Sequence, residues 1–209
     1  MILRVLVEGT SDVPVVREAL VRGLGQVQGT DFQVFWHKGK GRLPTSPFGP
    51  PAARDETLLG QLPAKLRAFG ESDPGSPVVV LVDADRDNCL ALKASLMAML
   101  GVLPQRPRNV IFRIAVEEME SWFIADTTAV QSAYPTVNLG VLAAVAPDAV
   151  VGAWEHLATA MGLNAGLCTG ADKEDWAKAI SPHLELANPP SPSFGTFIKA
   201  LERLTGVAV

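Results

Sequence analysis

Val78-Val79-Val80-Leu81-Val82-Asp83-Ala84-Asp85-Arg86-Asp87-Asn88 decides the fold, because five apolar residues run without a break into three acids within five positions. A short, β-branched apolar run bounded by turn-forming residues has the pattern of a strand covered on both faces. Such strands belong to parallel sheets with helices packed on each side. Three more runs share the pattern, at Ile2–Val7, Phe32–Trp36 and Asn109–Val116, and with Pro77–Val82 they give about four strands. Helical periodicity separates them at Val13–Leu24, Glu56–Phe69 and Cys89–Leu100. Val16, Leu20 and Leu24 share one face of the first of these, for which Asp12 is the expected N-cap. Alternating strands and helices predict an α/β fold with a parallel sheet. In such a sheet, ligands sit beyond the C-terminal strand ends.

Outward from this core the pattern changes twice. Residues 38–54 carry seven Gly and Pro residues and no periodicity, so they read as a long loop insertion. Beyond about Asp126 the strand signal stops, and Leu139–Met161, Lys173–His183 and Phe194–Leu204 read as helices. The expected organisation is an α/β core over residues 1–135. A mainly helical C-terminal appendage, residues 136–209, is expected to pack on the same domain.

The 209 residues are 48% hydrophobic and 19% charged, a globular balance that excludes a disordered chain. A formal net charge of −4 excludes the broad basic surface of many nucleic-acid-binding domains. If a polyanion is the substrate, local basic segments, bound metal ions or a partner must supply positive charge. Cys89 and Cys168 are far apart and make neither a disulfide framework nor a metal-ligand spacing, so a reducing compartment is expected. The N-terminal stretch lacks signal-peptide features, and no apolar run reaches the ~18 residues of a membrane span. A cytoplasmic protein without membrane contact is the expectation.

The chemistry concentrates where strands end. Glu8-Gly9-Thr10-Ser11-Asp12 follows the first strand, and Gly9 permits a tight strand-to-helix turn that leaves Glu8 and Asp12 on the sheet rim. In an extended chain Asp83 and Asp85 point the same way. Two adjacent carboxylates repel unless a cation neutralises them, and hard oxygen ligands at this density suit Mg²⁺ or Mn²⁺. The fourth strand runs into Glu117-Glu118-Met119-Glu120-Ser121-Trp122. A helix starting at Glu117 puts Glu117 and Glu120 on one face, although acids in a first turn also complement the helix dipole without further function. Trp122 and Phe123 read as packing residues. Three strand ends thus carry acids, and a doubly wound sheet sets those ends side by side.

Lys38, Lys40 and Arg42, interleaved with Gly39 and Gly41, are the candidate phosphate-backbone contacts; a solvated basic loop explains them equally well. His37, at a strand end, reads as a packing residue. The glycine-rich stretches do not form a Walker loop or a dinucleotide fingerprint, so neither ATPase activity nor a Rossmann cofactor site is expected. The only tyrosine, Tyr134, lies outside any recognisable topoisomerase motif, which argues against strand passage.

Glu8-Gly9 with Asp12, followed by Asp83-Ala84-Asp85, resembles the TOPRIM domain of topoisomerases, primases and overcoming-lysogenization-defect (OLD) nucleases. Adding Lys38-Gly39-Lys40-Gly41, Glu117–Trp122 and Ser191-Pro192-Ser193-Phe194, the chain is similar over nearly its whole length to a stand-alone TOPRIM-like family of bacterial proteins of unknown function, DUF4276. The resemblance implies that Glu8, Asp12, Asp83 and Asp85 bind Mg²⁺ or Mn²⁺, with Glu117 or Glu120 completing a two-ion arrangement. It implies that Glu8 also moves a proton and that a distal lysine assists. Lys173 is the candidate for that lysine, though no motif fixes it. A separate ATPase of the ABC or SMC type is an implied partner, since OLD nucleases carry one fused.

The resulting expectation is a metal-dependent phosphodiesterase or nuclease acting on DNA or RNA, working as an anti-phage defence effector, and conceivable as a homodimer. Two divalent ions about 4 Å apart suit that reaction, one activating water and the other taking the leaving group. The rivals are another TOPRIM phosphoryl transfer and a non-catalytic metal-binding interaction module.

Overall fold

The computed structural model describes residues 1–146, 148–149 and 151–209. Four strands, β1 (Leu3–Leu6), β2 (Phe32–Phe35), β3 (Val78–Asp83) and β4 (Val110–Ala115), form one sheet in the order β2-β1-β3-β4. All three pairings are parallel. Each strand falls within the apolar run that predicts it, with β3 extending one residue further to Asp83. The strand order reverses at β1, which has β2 on one side and β3 on the other. The ends of β1 and β3 are therefore neighbours at a topological switch point.

Side-chain parity sorts the core into two layers. Leu3, Val5, Val79 and Leu81 face one side, where α1 (Asp12–Glu18) packs with most of the later helices. Leu6, Val78, Val80 and Val82 face the other, against α2 (Leu58–Ser72) and α3 (Cys89–Val102). This period of two explains why β3 is apolar throughout, since both its faces are covered. α1 runs on into a wider π-helical turn, Ala19–Gly23, and the two together fill the expected Val13–Leu24 stretch.

Beyond β4 come α4 (Glu120–Ala125), α5 (Thr127–Ala133), α6 (Leu139–Ala143), α7 (Ala153–Ala160), α8 (Gly170–Ile180) and α9 (Pro192–Thr205). The expected Leu139–Met161 helix is thus two shorter ones. Asn138 caps the first by accepting from Gly140 N, and Gly152, at φ 75°, precedes the second. Residues 147 and 150 of that expectation lie outside the described residues. The apolar layer on the α1 side contains β1 and β3 side chains together with Leu157, Trp176, Phe194, Phe197 and Leu201.

One polar junction holds this layer in register. The Asp148 carboxylate accepts from the hydroxyls of Ser191 and Ser193 at 2.8 and 2.9 Å and from Ser193 N at 2.7 Å. The Trp122 indole N–H donates to the Ser193 hydroxyl at 2.7 Å, satisfying the one polar group of a ring that is 1% exposed. Trp122 stacks on Phe194 with centroids 4.7 Å apart and on Phe197 at 5.6 Å. Truncating Phe194→Ala should cost about 3–5 kcal/mol, as removal of a fully buried aromatic ring does. Urea denaturation would read this, and a loss below about 1 kcal/mol would show that the stack does not hold α9 to the sheet.

Candidate functional site

The acids that follow β1, β3 and β4 meet on the α8 side of the sheet. Asp83 keeps the parity of Val79 and Leu81, so its side chain enters that layer. Glu8 reaches across from the neighbouring strand end, and its Oε1 accepts the Asp83 N–H at 2.8 Å. Asp12 turns back toward the β1–α1 turn, where its Oδ2 accepts from Glu8 N at 2.9 Å and Gly9 N at 3.0 Å. It is therefore not the N-cap expected from sequence. Ser11 holds that position, and Asp12, only 6% exposed, braces the turn that presents Glu8.

Glu120 opens α4 and is 2% exposed. Lys173, from the first half of α8, lies 3.2 Å from its Oε1 and 3.9 Å from Oε1 of Glu118. The structure thus brings Glu8, Asp12, Asp83, Glu120 and Lys173 together. Glu118 joins them, its other oxygen accepting the Trp154 N–H at 3.2 Å.

Two expectations about neighbouring acids are overturned. The helix starts at Glu120, not Glu117; Glu117 sits in the left-handed region at φ 64°, so it shares no helical face with Glu120. Asp85 is also left-handed, at φ 50°, and this turn breaks the alternation that would aim it alongside Asp83. Its N–H donates to Glu117 O at 2.7 Å, so two left-handed non-glycine residues brace each other at adjacent strand ends. Backbone of this kind costs ~1–3 kcal/mol per residue and gathers at functional sites. Asp85 lies on the exposed rim, close enough for its charge to act on Glu8.

The basic loop is also not three free cations. Lys38 pairs with Glu56 at 2.6 Å, and Lys40 bridges Asp85 at 3.2 Å and Asp87 at 2.7 Å while donating to Ala84 O at 2.8 Å. Arg42 is exposed. Backbone bonds Lys38 N→Glu56 O and Leu58 N→Gly39 O close the neck of this loop. His37 is 4% exposed, with Nδ1 2.7 Å from Val7 O, so it fixes the β1 end rather than facing the cluster.

Burial dominates the electrostatics. It lifts the Glu8 carboxyl to about 8 despite the Asp83 N–H, and the charges of Asp12 and Asp85 add to the rise. Burial and the charges of Asp12, Glu8 and Glu120 push Asp83 well above the usual carboxylate range. Asp12 and Glu120 are raised by burial as well, and Glu118 reaches about 7 by the same cause. Lys173 loses some basicity to burial, but Glu120 and Glu118 outweigh that and keep it cationic. Five shielded acids facing one half-buried lysine form a donor set of hard oxygens short of positive charge. That chemistry fits Mg²⁺ or Mn²⁺. Among the described residues no three His, Cys, Asp or Glu side chains already surround a common point at ligating distance.

The model of the family described as "Domain of unknown function (DUF4276)" matches residues 7–202. The chain belongs to this family. The crystallised C-terminal region of the Xanthomonas campestris pv. campestris OLD protein is similar in fold, with TM-score 0.52 and 15% identity over 98% of this chain and 94% of that one. This DUF4276 chain therefore has the TOPRIM-like α/β fold that its motifs imply, with the helical C-terminal part included in the likeness. No curated protein sequence matches it. Among the described residues no helix is long and apolar enough to cross a membrane.

Glu118 was not singled out from sequence, because three acids in four positions gave no register until the left-handed turn at Glu117 fixed one. The raised carboxyls set a pH dependence with a definite sign. Folded Glu8 holds its proton more tightly than the unfolded chain, whose value is 4.5, so folding takes up a proton between the two values. In chelator, stability should be unaffected below about pH 4.5, fall as pH rises to about 8, and level off above that. Glu8→Gln keeps the acceptor for Asp83 N–H and removes the charge, so it should raise Tm at pH 8 by a few degrees and flatten the slope (about 2–4 °C per kcal/mol). A lower Tm with an unchanged slope would mean that Glu8 is not held against its charge.

Proposed function

We propose that this DUF4276 protein is a divalent-cation-dependent phosphodiesterase acting on nucleic acid. The observation that carries the reading is the convergence of buried Asp12 and Glu120 and half-buried Glu8 and Asp83 from three strand ends on Lys173. Carboxylate–cation–lysine chemistry is what an anionic phosphodiester demands, because attack adds charge to a group already negative. The TOPRIM pattern of these residues and the fold likeness to the OLD C-terminal region support the same reading.

Glu8, Asp12, Asp83 and Glu120 would hold Mg²⁺ or Mn²⁺, with Asp85 on the rim. The bound cation lowers the pKa of water and offsets charge on the leaving oxygen. Lys173 supplies a fixed positive charge beside the transferring phosphoryl group. Glu8, pushed up to about 8 by burial when no cation is present, would give up that proton when a cation binds and would then accept and return one at its Oε2. The Glu8 Oε1–Asp83 N–H bond fixes the other oxygen and so orients the group. Lys40, tied to Asp85 and Asp87, would hold the rim; released by substrate, its ammonium becomes a phosphate contact. These 209 residues hold no Walker loop, so any ATP-driven step would be supplied from outside them.

With Mn²⁺, wild-type protein should nick plasmid DNA or cut single-stranded DNA or RNA. Lys173→Ala should lower the rate on the order of 10²-fold and Asp83→Asn by at least as much. Mn²⁺ should also raise the wild-type Tm, by an amount equivalent to about 2.7 kcal/mol at a hundred times the dissociation constant. Asp83→Asn should lose that shift. Calorimetry showing no Mn²⁺ uptake by the wild type would sink the proposal. Uptake without cleavage of any of the three substrates would leave a metal-binding module.

A further inference from the structure

A groove of about 350 Å³ lies beside the β1–α1 turn, between α1 and α8. That volume falls within the ~300–1,000 Å³ range of small-molecule sites. Trp36, at the end of β2, forms one wall and is 52% exposed. The other three tryptophans are largely or partly buried, two of them at 1% and 4% exposure. Val13 and Pro14 of α1 line the groove beside Trp36.

The groove shares its wall with the candidate site. Thr10, within the Glu8–Asp12 turn, donates to Glu174 Oε2 at 2.6 Å, and Glu174 directly follows Lys173 on α8. Successive residues on a helix point about 100° apart. One residue of α8 therefore serves the carboxylates while the next serves the groove. β2 lies beside β1, with Val7 N donating to Phe35 O at 3.0 Å and Gly39 N to Glu8 O at 2.8 Å. Trp36 is thus held next to the strand end that presents Glu8.

The polar lining is balanced in charge. Glu174 pairs with Lys178 at 2.6 Å and Glu18 with Arg22 at 3.4 Å, while Arg17 has no ion pair among the described residues. Ser181 lines the groove, and its buried hydroxyl has no partner among the described residues. Arg17 alone is then left over, a smaller positive surplus than a dedicated anion site would show. An exposed indole with both donors and acceptors around it instead suits a flat, neutral, hydrogen-bonding heterocycle.

We infer that this groove binds an unpaired nucleobase, stacked on Trp36, of a nucleic-acid strand whose phosphodiester lies at the carboxylate cluster. The inference rests on the phosphodiesterase reading and narrows its substrate to a single strand or an unpaired segment, because a base inside a duplex has no free face. Stacking also answers the charge problem. The chain is at −4 and its Lys38 and Lys40 are already paired, so affinity from base stacking replaces affinity from phosphate contacts.

The test is binding of a labelled short oligothymidylate to the full chain in chelator, followed by fluorescence anisotropy. The single strand should bind, the matching duplex should bind far more weakly, and free thymidine should compete where pyrophosphate does not. Trp36→Ala should weaken binding about tenfold or more, while Trp36→Phe, which keeps an aromatic face, should lose much less. No binding by wild type, equal binding of duplex, or a folded Trp36→Ala with unchanged affinity would each overturn the inference. If Trp36→Ala does not fold, thymidine competition on the wild type decides alone. A parallel Mn²⁺ cleavage assay separates the two claims. Cleavage with no Trp36-dependent binding removes the base site and leaves the phosphodiesterase. Trp36-dependent binding with no cleavage by any substrate does the reverse.

Discussion

Burying like charges together is the constraint on which the rest of the structure turns. Glu8, Asp12, Asp83, Glu118 and Glu120 share a shielded volume with Lys173, and each carboxyl is pushed above its usual range mainly because it has lost water. A chain selected only for stability would replace some of them, since a buried charge without a partner is expensive. The sheet makes the arrangement possible. Because strand order reverses at β1, the β1 and β3 ends are adjacent, and Glu8 accepts the N–H of Asp83 from 75 positions further along the chain.

The outer rim shows the same economy of charge. Lys40 could be a substrate contact, yet it is spent on Asp85 and Asp87, and this pairing draws the long loop against the β3 end. The loop can approach only because glycine stands at Gly41. A Cβ there would fall 1.9 Å from the Thr57 hydroxyl, and its φ of 66° is a conformation that side chains disfavour. Lys38 is likewise held by Glu56. A cluster rich in acid, with its nearest cations already paired, gives little long-range attraction for a polyanion. For the proposed nucleic-acid substrate, recognition would then come from contacts made at close quarters, such as stacking, or from a second protein.

The fold was readable because hydrophobic period and strand-end chemistry agree. All four strands and the first three helices lie where apolar runs put them, and Glu8, Asp12, Asp83 and Glu120 meet as the parallel topology requires. The failures share one cause. Asp85, Glu117 and the split of Leu139–Met161 all depend on left-handed or capped turns, and a left-handed conformation at Asp or Glu leaves no mark in a single sequence comparable to that of Gly. One such turn moves a side chain from the cluster to the rim, which is why Glu118 rather than Glu117 meets Lys173. The ion pairs of the basic loop are hidden in the sequence for another reason: the partners Glu56 and Asp87 approach only in three dimensions.

Lys173 gives the helical appendage its meaning. The division at residue 135 follows a change in sequence pattern, but the lysine opposite Glu120 comes from α8, on the far side of that division. The groove beside the carboxylates is likewise closed by Glu174, Lys178 and Ser181 from the same stretch. Without these residues the acids of the first 135 would face solvent on one side, and with that their raised pKa values and the lysine would both be lost. The C-terminal helices therefore complete the site rather than decorate it. The Asp148–Ser191–Ser193–Trp122 junction, whose Trp122 follows Glu120 by two residues on α4, then has a reason to be built so tightly. It sets the packing of α9 against the same apolar layer that seats α8, and through that layer the position of one ammonium group among five acids.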